Sequence, residues 1–440
     1  MTAEYLNLWI LFIAILLLAF SFDDFFIDFI LFFKNLKPQK ISKVEFKDRS
    51  DNPIAIMIAN WHESEVLADM VEGNFGAPDN YHVFLGVYPN DNETYKIALE
   101  VSKNKEHVHV VVNEMNGPTY KGQMLNVILK EVFNFEKKNE LKFDGFVLHD
   151  SEDVLSENQI KLYHSNLKKC DFIQTPVLSL SLPYRSIVGS TYIDEFVEIH
   201  VKELLVREYL GAALPSAGVG TCLSRDLILR FILEQKGEVF LQNALTEDYN
   251  LGLQAKIWGY KSCFVCAYPE GEDPRNLIAT REYFPDSIYA AVKQKTRWTL
   301  GIAFQGFYRF GWFGDAWERY FLWRDRKVIL STLININAFV ILLYIVADDI
   351  QIYTPIRYLM LVNLLSFVVR MGLRSFYVAS YFGADQGMLS LARWPVGIFV
   401  NTLAGVRAIY QILFSQLTGR KIKWSKTKHK IPKLIKNKAS

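Results

Sequence analysis

The chain has 440 residues, of which 50% are hydrophobic and 14% aromatic, with 32 Phe and 22 Tyr. That content is high for a soluble protein and suits a globular domain joined to membrane segments. The formal net charge of +2 carries no signature of a nucleic-acid partner, and none is expected. The four cysteines, Cys170, Cys222, Cys263 and Cys266, read as unpaired. Cys263-x-x-Cys266 lacks a second pair at zinc-ligand spacing and sits in what reads as a buried strand. So few cysteines fit a reducing compartment.

Leu6 to Phe22 is uncharged, apolar and about as long as a bilayer span. It lacks the basic start and small-residue cleavage site of a secretory signal. Lys34, Lys37, Lys40 and Lys43 follow, so the positive-inside rule places the N-terminus outside and residue 34 onwards in the cytoplasm. Asp23 to Phe33 stays rich in Phe and Ile, and either extends the helix or lies at the interface.

From Lys43 to Tyr283, apolar runs alternate with helix-like stretches. Strands are expected at Ile54–Ala59, Tyr81–Val87, Val108–Val112, Gly145–His149, Phe172–Thr175 and Phe264–Ala267. Helices are expected near His62–Glu65, at Thr94–Lys103 and at Met124–Phe133. This alternation predicts an α/β domain with a mainly parallel sheet, whose ligands bind beyond the carboxyl ends of the strands. Asn60–Glu63, Tyr88–Asp91 and Asp150–Asp153 fall at three such ends.

After Pro285 the character changes. Ser287 to Trp312 reads as an amphipathic, aromatic-rich helix on which Gln294, Arg297 and Trp298 share a face. Val328–Val346 and Ile356–Val369 read as a membrane hairpin with a short outer loop at Asp348–Pro355. Trp394–Leu417 is long enough to span but carries Asn401, Arg407 and Gln411. A cytoplasmic domain and a cytoplasmic basic tail need an even number of spans between them, so 395–415 is expected to lie at the interface. The alternative is that it spans and pairs with a segment near Phe376–Phe382. Gly419–Ser440 is densely basic and reads as a cytoplasmic tail close to anionic lipid. The expected organisation is a membrane helix and juxtamembrane segment (1–42), a soluble α/β domain (43–284) and interfacial helices (285–326). The hairpin with an interfacial or membrane helix (327–418) and the basic tail (419–440) complete it.

Four stretches carry candidate chemistry. His149-Asp150-Ser151-Glu152-Asp153 ends an apolar strand; carboxylates two residues apart there reach one divalent ion, and oxygen ligands suit Mg2+ or Mn2+. A polar turn with an aspartate cap explains the same residues without a metal. Gly117–Asn126 is a Gly/Pro loop with Lys121 just ahead of a helix, an arrangement that suits a diphosphate. Ser216–Cys222 is a small-residue loop that would let backbone approach a sugar, or a plain crossing between elements. In Leu245–Leu253, Thr246 is a plausible N-cap, with Glu247 and Asp248 in the first helical turn where the dipole favours negative charge.

Taken in order, Asp91, Asp150-Ser151-Glu152, Thr246-Glu247-Asp248 and Gln294-Lys295-Thr296-Arg297-Trp298 resemble the motifs of the membrane-bound family 2 glycosyltransferases, the group of cellulose and hyaluronan synthases. Lys121 and Asn126 match a nucleotide-binding segment of that family. Within it, Asn60-Trp61-His62-Glu63, Val87–Asp91, Leu148–Asp153 and Trp424–His429 look like the inner-membrane phage-adsorption protein B branch. Longer members of that branch add a C-terminal domain proposed to bind cyclic di-GMP. This chain ends soon after its basic tail, so that control is expected to be absent or supplied by a partner. Two departures stand out. The usual D-x-D reads Asp150-x-Glu152 with Asp153 adjacent, which leaves the second metal carboxylate open between Glu152 and Asp153. Asp91 sits in a Tyr-Pro-Asn-Asp context instead of the family's usual one.

The resemblance implies a GT-A (Rossmann-like) domain with a mainly parallel sheet, plus transmembrane and interfacial helices. It implies an inverting, metal-dependent hexosyltransferase in the bacterial inner membrane, multi-pass, with its catalytic domain in the cytoplasm. A UDP-sugar would bind at Asn60, Glu63, Asp91, Lys121, Asn126, Asp150, Gln294 and Arg297. Mg2+ or Mn2+ would sit at Asp150 with Glu152 or Asp153. Asp248 would be the general base, with Glu247 in support, and Trp298 and Thr246 would meet the acceptor. The sugar would pass to a growing surface or exopolysaccharide glycan, with the bilayer and an outer-membrane or periplasmic export partner as further partners. The alternative reading is a non-catalytic membrane scaffold or phage-receptor component that keeps the fold.

Overall fold

The computed structural model describes residues 3–42, 46, 52–76, 79–241, 244–347 and 351–420. The basic tail from residue 421, with the Trp424–His429 motif, lies outside the described residues, as do Asp348 and Asp349 of the expected outer loop.

The chain opens with a 31-residue helix, α1 (Ala3–Phe33), and a short strand, β1 (Gln39–Ile41). Asp23–Phe33 thus extends the helix. An alternating series follows: β2 (Ile54–Ala59), α2 (Leu67–Asn74), β3 (Tyr81–Val87), α3 (Asn92–Ser102), β4 (Val108–Val112), α4 (Lys121–Asn139) and β5 (Gly145–His149). Next come β6 (Val154–Leu155), α5 (Gln159–Leu167), β7 (Phe172–Gln174), β8 (Val177–Ser179), α6 (Ile187–Val197), α7 (Leu204–Tyr209), β9 (Thr221–Ser224) and α8 (Arg225–Glu234). The domain closes with α9 (Glu247–Ile257), β10 (Ser262–Phe264), β11 (Ala267–Pro269) and β12 (Thr280–Glu282).

The main sheet has the order β10-β7-β9-β5-β2-β3-β4 and is parallel except at β9, which runs antiparallel to both β5 and β7. Its central strands are near-continuous apolar runs because both faces are covered. In β2, Ala55 and Met57 enter one core cluster while Ile54, Ile56 and Ile58 enter the other. A small sheet, β6-β12-β8, lies beside the end of β5, and β1 pairs with β11.

Several expectations change. The helix expected near His62–Glu65 starts at Leu67, because His62 takes a left-handed φ of 55° that no helix continues. Phe264–Ala267 is divided between β10 and β11. Cys170 and Cys263 are joined as a disulfide with Cα atoms 6.0 Å apart, which corrects the unpaired reading; the pairing of β7 with β10 brings them together. Cys222 and Cys266 are free and buried.

Beyond the domain, α10 (Ile288–Thr299) and α11 (Gly306–Phe310) are joined by a π-helical turn, Leu300–Gln305, and end at Gly311, whose φ is 56°. Then come α12 (Ala316–Arg326), α13 (Val328–Ala347), α14 (Thr354–Phe382) and α15 (Ala384–Thr418). Among the described residues, α1, α13, α14 and α15 are long and apolar enough to cross a membrane. The segment near Phe376–Phe382 is the last part of α14 and not a separate span. Residues 395–415 belong to the single helix α15, which qualifies as a span by length and composition. That helix also grips the domain: Arg393 donates to both carboxylate oxygens of Asp194 (2.6 and 3.0 Å), and Asn401 Oδ1 accepts from Lys295 (2.9 Å). Further along, Gly405 leaves room for Thr332 of α13.

Candidate active site

The ends of β2 and β5, the start of α4, the loop before β9, the start of α9 and one face of α10 surround a single cavity. Asn60, Glu63, Lys121, Asp150, Glu152, Thr246, Glu247, Asp248, Gln294, Arg297 and Trp298 all line it. Strand-end loops converge here because the neighbouring strands β5, β2 and β3 run parallel, so that their carboxyl ends open on the same side.

At the end of β5, Lys121 Nζ lies 2.5 Å from Asp150 Oδ1. Burial works against the Lys121 ammonium, but the charges of Asp150, Glu247 and Asp248 outweigh it and hold the group well above its usual range. Glu152 is buried on the same turn. Asp153 does not line the cavity; its place is beneath the turn. Its Oδ2 accepts from the Asp150 N–H (2.9 Å) and meets His149 Nδ1 (2.9 Å). Burial pushes its carboxyl up to about 6, against the pull of His149. Asp153 therefore holds the turn that carries Asp150, and of the two candidates for the second metal carboxylate only Glu152 faces the cavity. Asn60 braces the same turn: its Oδ1 accepts from Ser151 Oγ (2.8 Å), while its Nδ2 donates to the carbonyls of Ile58 (3.0 Å) and Gly86 (2.9 Å).

Two expected ligand contacts are diverted to structure. Asp91 is the N-cap of α3; its carboxylate accepts from the backbone N–H groups of His62 (2.6 Å) and Thr94 (3.4 Å), tying the loop after β2 to that helix. Asn126 donates to the Phe240 carbonyl (2.7 Å) and accepts from the N–H groups of Val239 and Phe240 (3.0 Å each). Neither lines the cavity, since each already spends its polar atoms on backbone.

At the start of α9, Thr246 occupies the N-cap position without making a side-chain cap bond. Its side chain packs instead against Gly301, where any larger residue would collide with it. Leu245 N–H donates to Gln305 Oε1 (2.9 Å), so the π-helical turn after α10 holds this corner. Asp248 Oδ1 accepts from the Tyr249 N–H (2.8 Å), and Tyr249 Oη donates to Asp325 (2.6 Å), which is gripped by Arg207 (2.8 and 3.0 Å). Gly218, at φ 82°, leaves the space that the other Asp248 oxygen fills. Burial and the neighbouring Asp248 push the Glu247 carboxyl up to about 7. Burial also raises Asp248, with Lys121 and Arg297 pulling the other way.

On α10, Gln294 Oε1 and Arg297 Nε are buried without a hydrogen-bond partner among the described residues, and both side chains line the cavity. Trp298 stands edge-on to Tyr192 at 6.1 Å. Opposite, Trp61 and Tyr88 (5.2 Å apart, edge-on) and Pro118 form an apolar wall, and Tyr88 Oη lies 2.6 Å from Thr119 Oγ1. Glu282 also lines the cavity and no motif announced it, because it ends a three-residue strand with no local signature. Burial, then Asp153, Glu152 and Asp150, hold its carboxyl well above the usual range.

Asp150 and Glu152 supply two hard oxygen donors on one turn, with the Lys121 ammonium already seated against Asp150 as a cation would be. Among the described residues no three His, Cys, Asp or Glu side chains converge to enclose a metal ion. A divalent ion here would draw its other ligands from phosphate and water, as Mg2+ commonly does.

A model of the family described as glycosyltransferase-like family 2 matches residues 52–301. Bacteriophage adsorption protein B of Escherichia coli strain K12 is 35% identical over 459 aligned positions, covering 96% of this chain and 61% of that protein. Bacteriophage N4 adsorption protein B of Escherichia coli O157:H7 matches to the same extent. The chain thus spans about three fifths (61%) of the length of these curated relatives. The fold is similar to that of a mannosyltransferase from Pyrobaculum calidifontis, solved in complex with GDP-mannose and Mn2+. The TM-score is 0.54 at 14% identity, covering 91% of this chain and 99% of the other. The family match runs from just before β2 through β12 to the helix that carries Gln294, Arg297 and Trp298, and the chain therefore belongs to glycosyltransferase-like family 2.

Proposed function

We propose that the protein is an inverting glycosyltransferase that moves a hexose from a UDP-sugar to a growing surface or exopolysaccharide glycan. It would work at the bacterial inner membrane with its α/β domain in the cytoplasm. The observation that carries this reading is the single cavity that collects Lys121, Asp150, Glu152, Asp248, Arg297 and Trp298 from four separated parts of the chain.

The roles follow from position. The Trp61, Tyr88 and Pro118 wall offers an apolar face to the base. Asp150 and Glu152 would hold Mg2+ or Mn2+, which when bound supplies positive charge to the leaving diphosphate. Lys121 and Arg297 add fixed positive charge there, in a partly dry site where such charge counts for more than in water. Asp248 takes the proton of the acceptor hydroxyl; burial raises its carboxyl above the ordinary range, which makes it a stronger base than an exposed aspartate. Trp298 presents its ring to the apolar C–H face of the acceptor sugar. On this reading 395–415 stays at the inner face of the membrane through its contacts with α6 and α10, and two spans separate the domain from the tail.

The test is a donor screen. Membranes that contain the protein are given UDP-glucose, UDP-N-acetylglucosamine, UDP-N-acetylmannosamine and GDP-mannose, with and without Mn2+, and release of nucleoside diphosphate is measured. Mn2+-dependent release of UDP from one sugar is the expected result. Release of GDP alone would replace the donor. Neither release nor UDP binding would favour the non-catalytic scaffold, the reading closest to the name of the phage-adsorption relatives.

A further inference from the structure

Six carboxylates line the cavity among the described residues: Glu63, Asp150, Glu152, Glu247, Asp248 and Glu282. Glu282 is the one without a place in any motif, and its position is specific. Thr280 and Arg281 pair antiparallel with Leu155 and Val154, so the next step of that register sets Glu282 across from Asp153, beside the Asp150–Glu152 turn. Alternation along the strand separates the two charged neighbours. The Arg281 guanidinium goes to Ser156 Oγ (3.0 Å) and the Leu277 carbonyl (3.0 Å), while Glu282 lines the cavity.

On its other side, Glu282 is close enough to Tyr192 for its charge to act on the phenol. Tyr192 stacks on Phe284 (4.6 Å) and stands edge-on to Trp298. Glu282 therefore stands between the turn assigned to the diphosphate and the Tyr192–Trp298 ring pair, whose Trp298 is assigned to the acceptor. The group that must lie between those two is the sugar in transit. The Glu282 side chain has no hydrogen-bond or ion-pair partner among the described residues. A half-buried carboxylate among other carboxylates is favoured by any donor that hydrogen-bonds to it, and vicinal hydroxyls offer two donors at carboxylate spacing.

We propose that Glu282 accepts hydrogen bonds from hydroxyls of the transferred sugar and so sets which sugar the protein moves. The inference rests on the glycosyltransferase reading above. It concerns specificity and not the proton transfer assigned to Asp248.

The test uses the purified full chain in detergent with Mn2+, as wild type, Glu282→Ala and Glu282→Gln. UDP affinity, Mn2+ affinity in the presence of UDP, and kcat/KM for UDP-glucose, UDP-galactose, UDP-N-acetylglucosamine and UDP-N-acetylmannosamine are measured. In Glu282→Ala the preference for the best donor over the second should fall by about ten-fold or more, the size of a lost hydrogen bond to a charged group. UDP and Mn2+ affinities should stay within about two-fold of wild type, below the tenfold effect of a single such contact. If Glu282→Ala does not fold, Glu282→Gln carries the same test with a smaller fall. An unchanged preference in a folded variant overturns the inference. Loss of Mn2+ affinity as large as that of Asp150→Asn also overturns it, because Glu282 would then be a metal ligand. Wild-type protein that binds no UDP overturns the glycosyltransferase reading and this inference with it.

Discussion

Two regions of the protein are rich in acidic side chains, and they differ in how the charge is met. At the junction between the domain and the membrane helices every acid has a basic partner. Asp23 meets Arg324 and Lys327 (2.5 Å each), Asp24 meets Arg370, and Glu203 meets Arg324 (2.7 Å). Asp28 meets Lys202, Glu195 meets Lys295, and Asp194 meets Arg393 (2.6 Å). Among the described residues, the cavity is lined by six carboxylates and two basic side chains, Lys121 and Arg297. The junction's acids and bases pair with one another, and these pairs join α1, α6, α10, α12, α14 and α15 into one body. The cavity is left with more negative charge than its own basic side chains balance, and its buried carboxyls are pushed up, which marks a site built to receive something. The same residue types serve as mortar in one place and as chemistry in the other, and pairing is what separates them.

Substitutions can break that contrast. Asp248→Asn should reduce sugar transfer by about 10²–10⁴-fold, the usual worth of a general base, with UDP affinity kept. Full turnover in the single-site variant would remove Asp248 from the base role. At the junction, Arg393→Ala should leave buried Asp194 with the more distant Arg374 (4.0 Å) in place of its two short hydrogen bonds and cost up to about 3–5 kcal/mol of stability, read as a fall in thermal midpoint in detergent. A midpoint equal to wild type would mean that the pair does not hold α15 to the domain.

Gly218→Ala sharpens the cavity side. It places a methyl group against the Asp248 carboxylate at a backbone φ of 82°, and a displaced base should cost about 10²-fold in kcat. Unchanged kcat would show that Asp248 can shift without loss. The smallest effect belongs to a pair outside both regions. Glu234→Ala removes the half-exposed i,i+4 partner of Arg230 on α8 and should cost about 0.3–0.5 kcal/mol in denaturant unfolding, with transfer untouched. A loss above 1 kcal/mol would tie α8 to the core more firmly than that surface geometry allows.

Much of this was determined by sequence alone, where the signal is local. The strands at Ile54–Ala59, Tyr81–Val87, Val108–Val112 and Gly145–His149 are legible to the residue, since each is an apolar run bounded by polar or turn residues. The ordered motifs around Lys121, Asp150, Thr246–Asp248 and Gln294–Trp298 fall on one cavity, because parallel strands deliver their carboxyl-end loops to the same side. Other features depended on neighbours far along the chain. Asp91 and Asn126 look like ligand residues, yet nearby backbone N–H groups claim their side chains. Thr246 has the chemistry of a cap, but Gly301 of another helix takes its side chain. The Cys170–Cys263 bond follows from the adjacency of β7 and β10, which spacing does not encode. Glu282 had no local signal; only the register of β12 on β6 carries it to the Asp150 turn. Sequence determined which strands and motifs the protein has, because hydrophobic period and helix-start chemistry are short-range. Tertiary structure decided which polar groups are already satisfied and which are left to bind, because a hydrogen-bond partner is a matter of space and not of spacing.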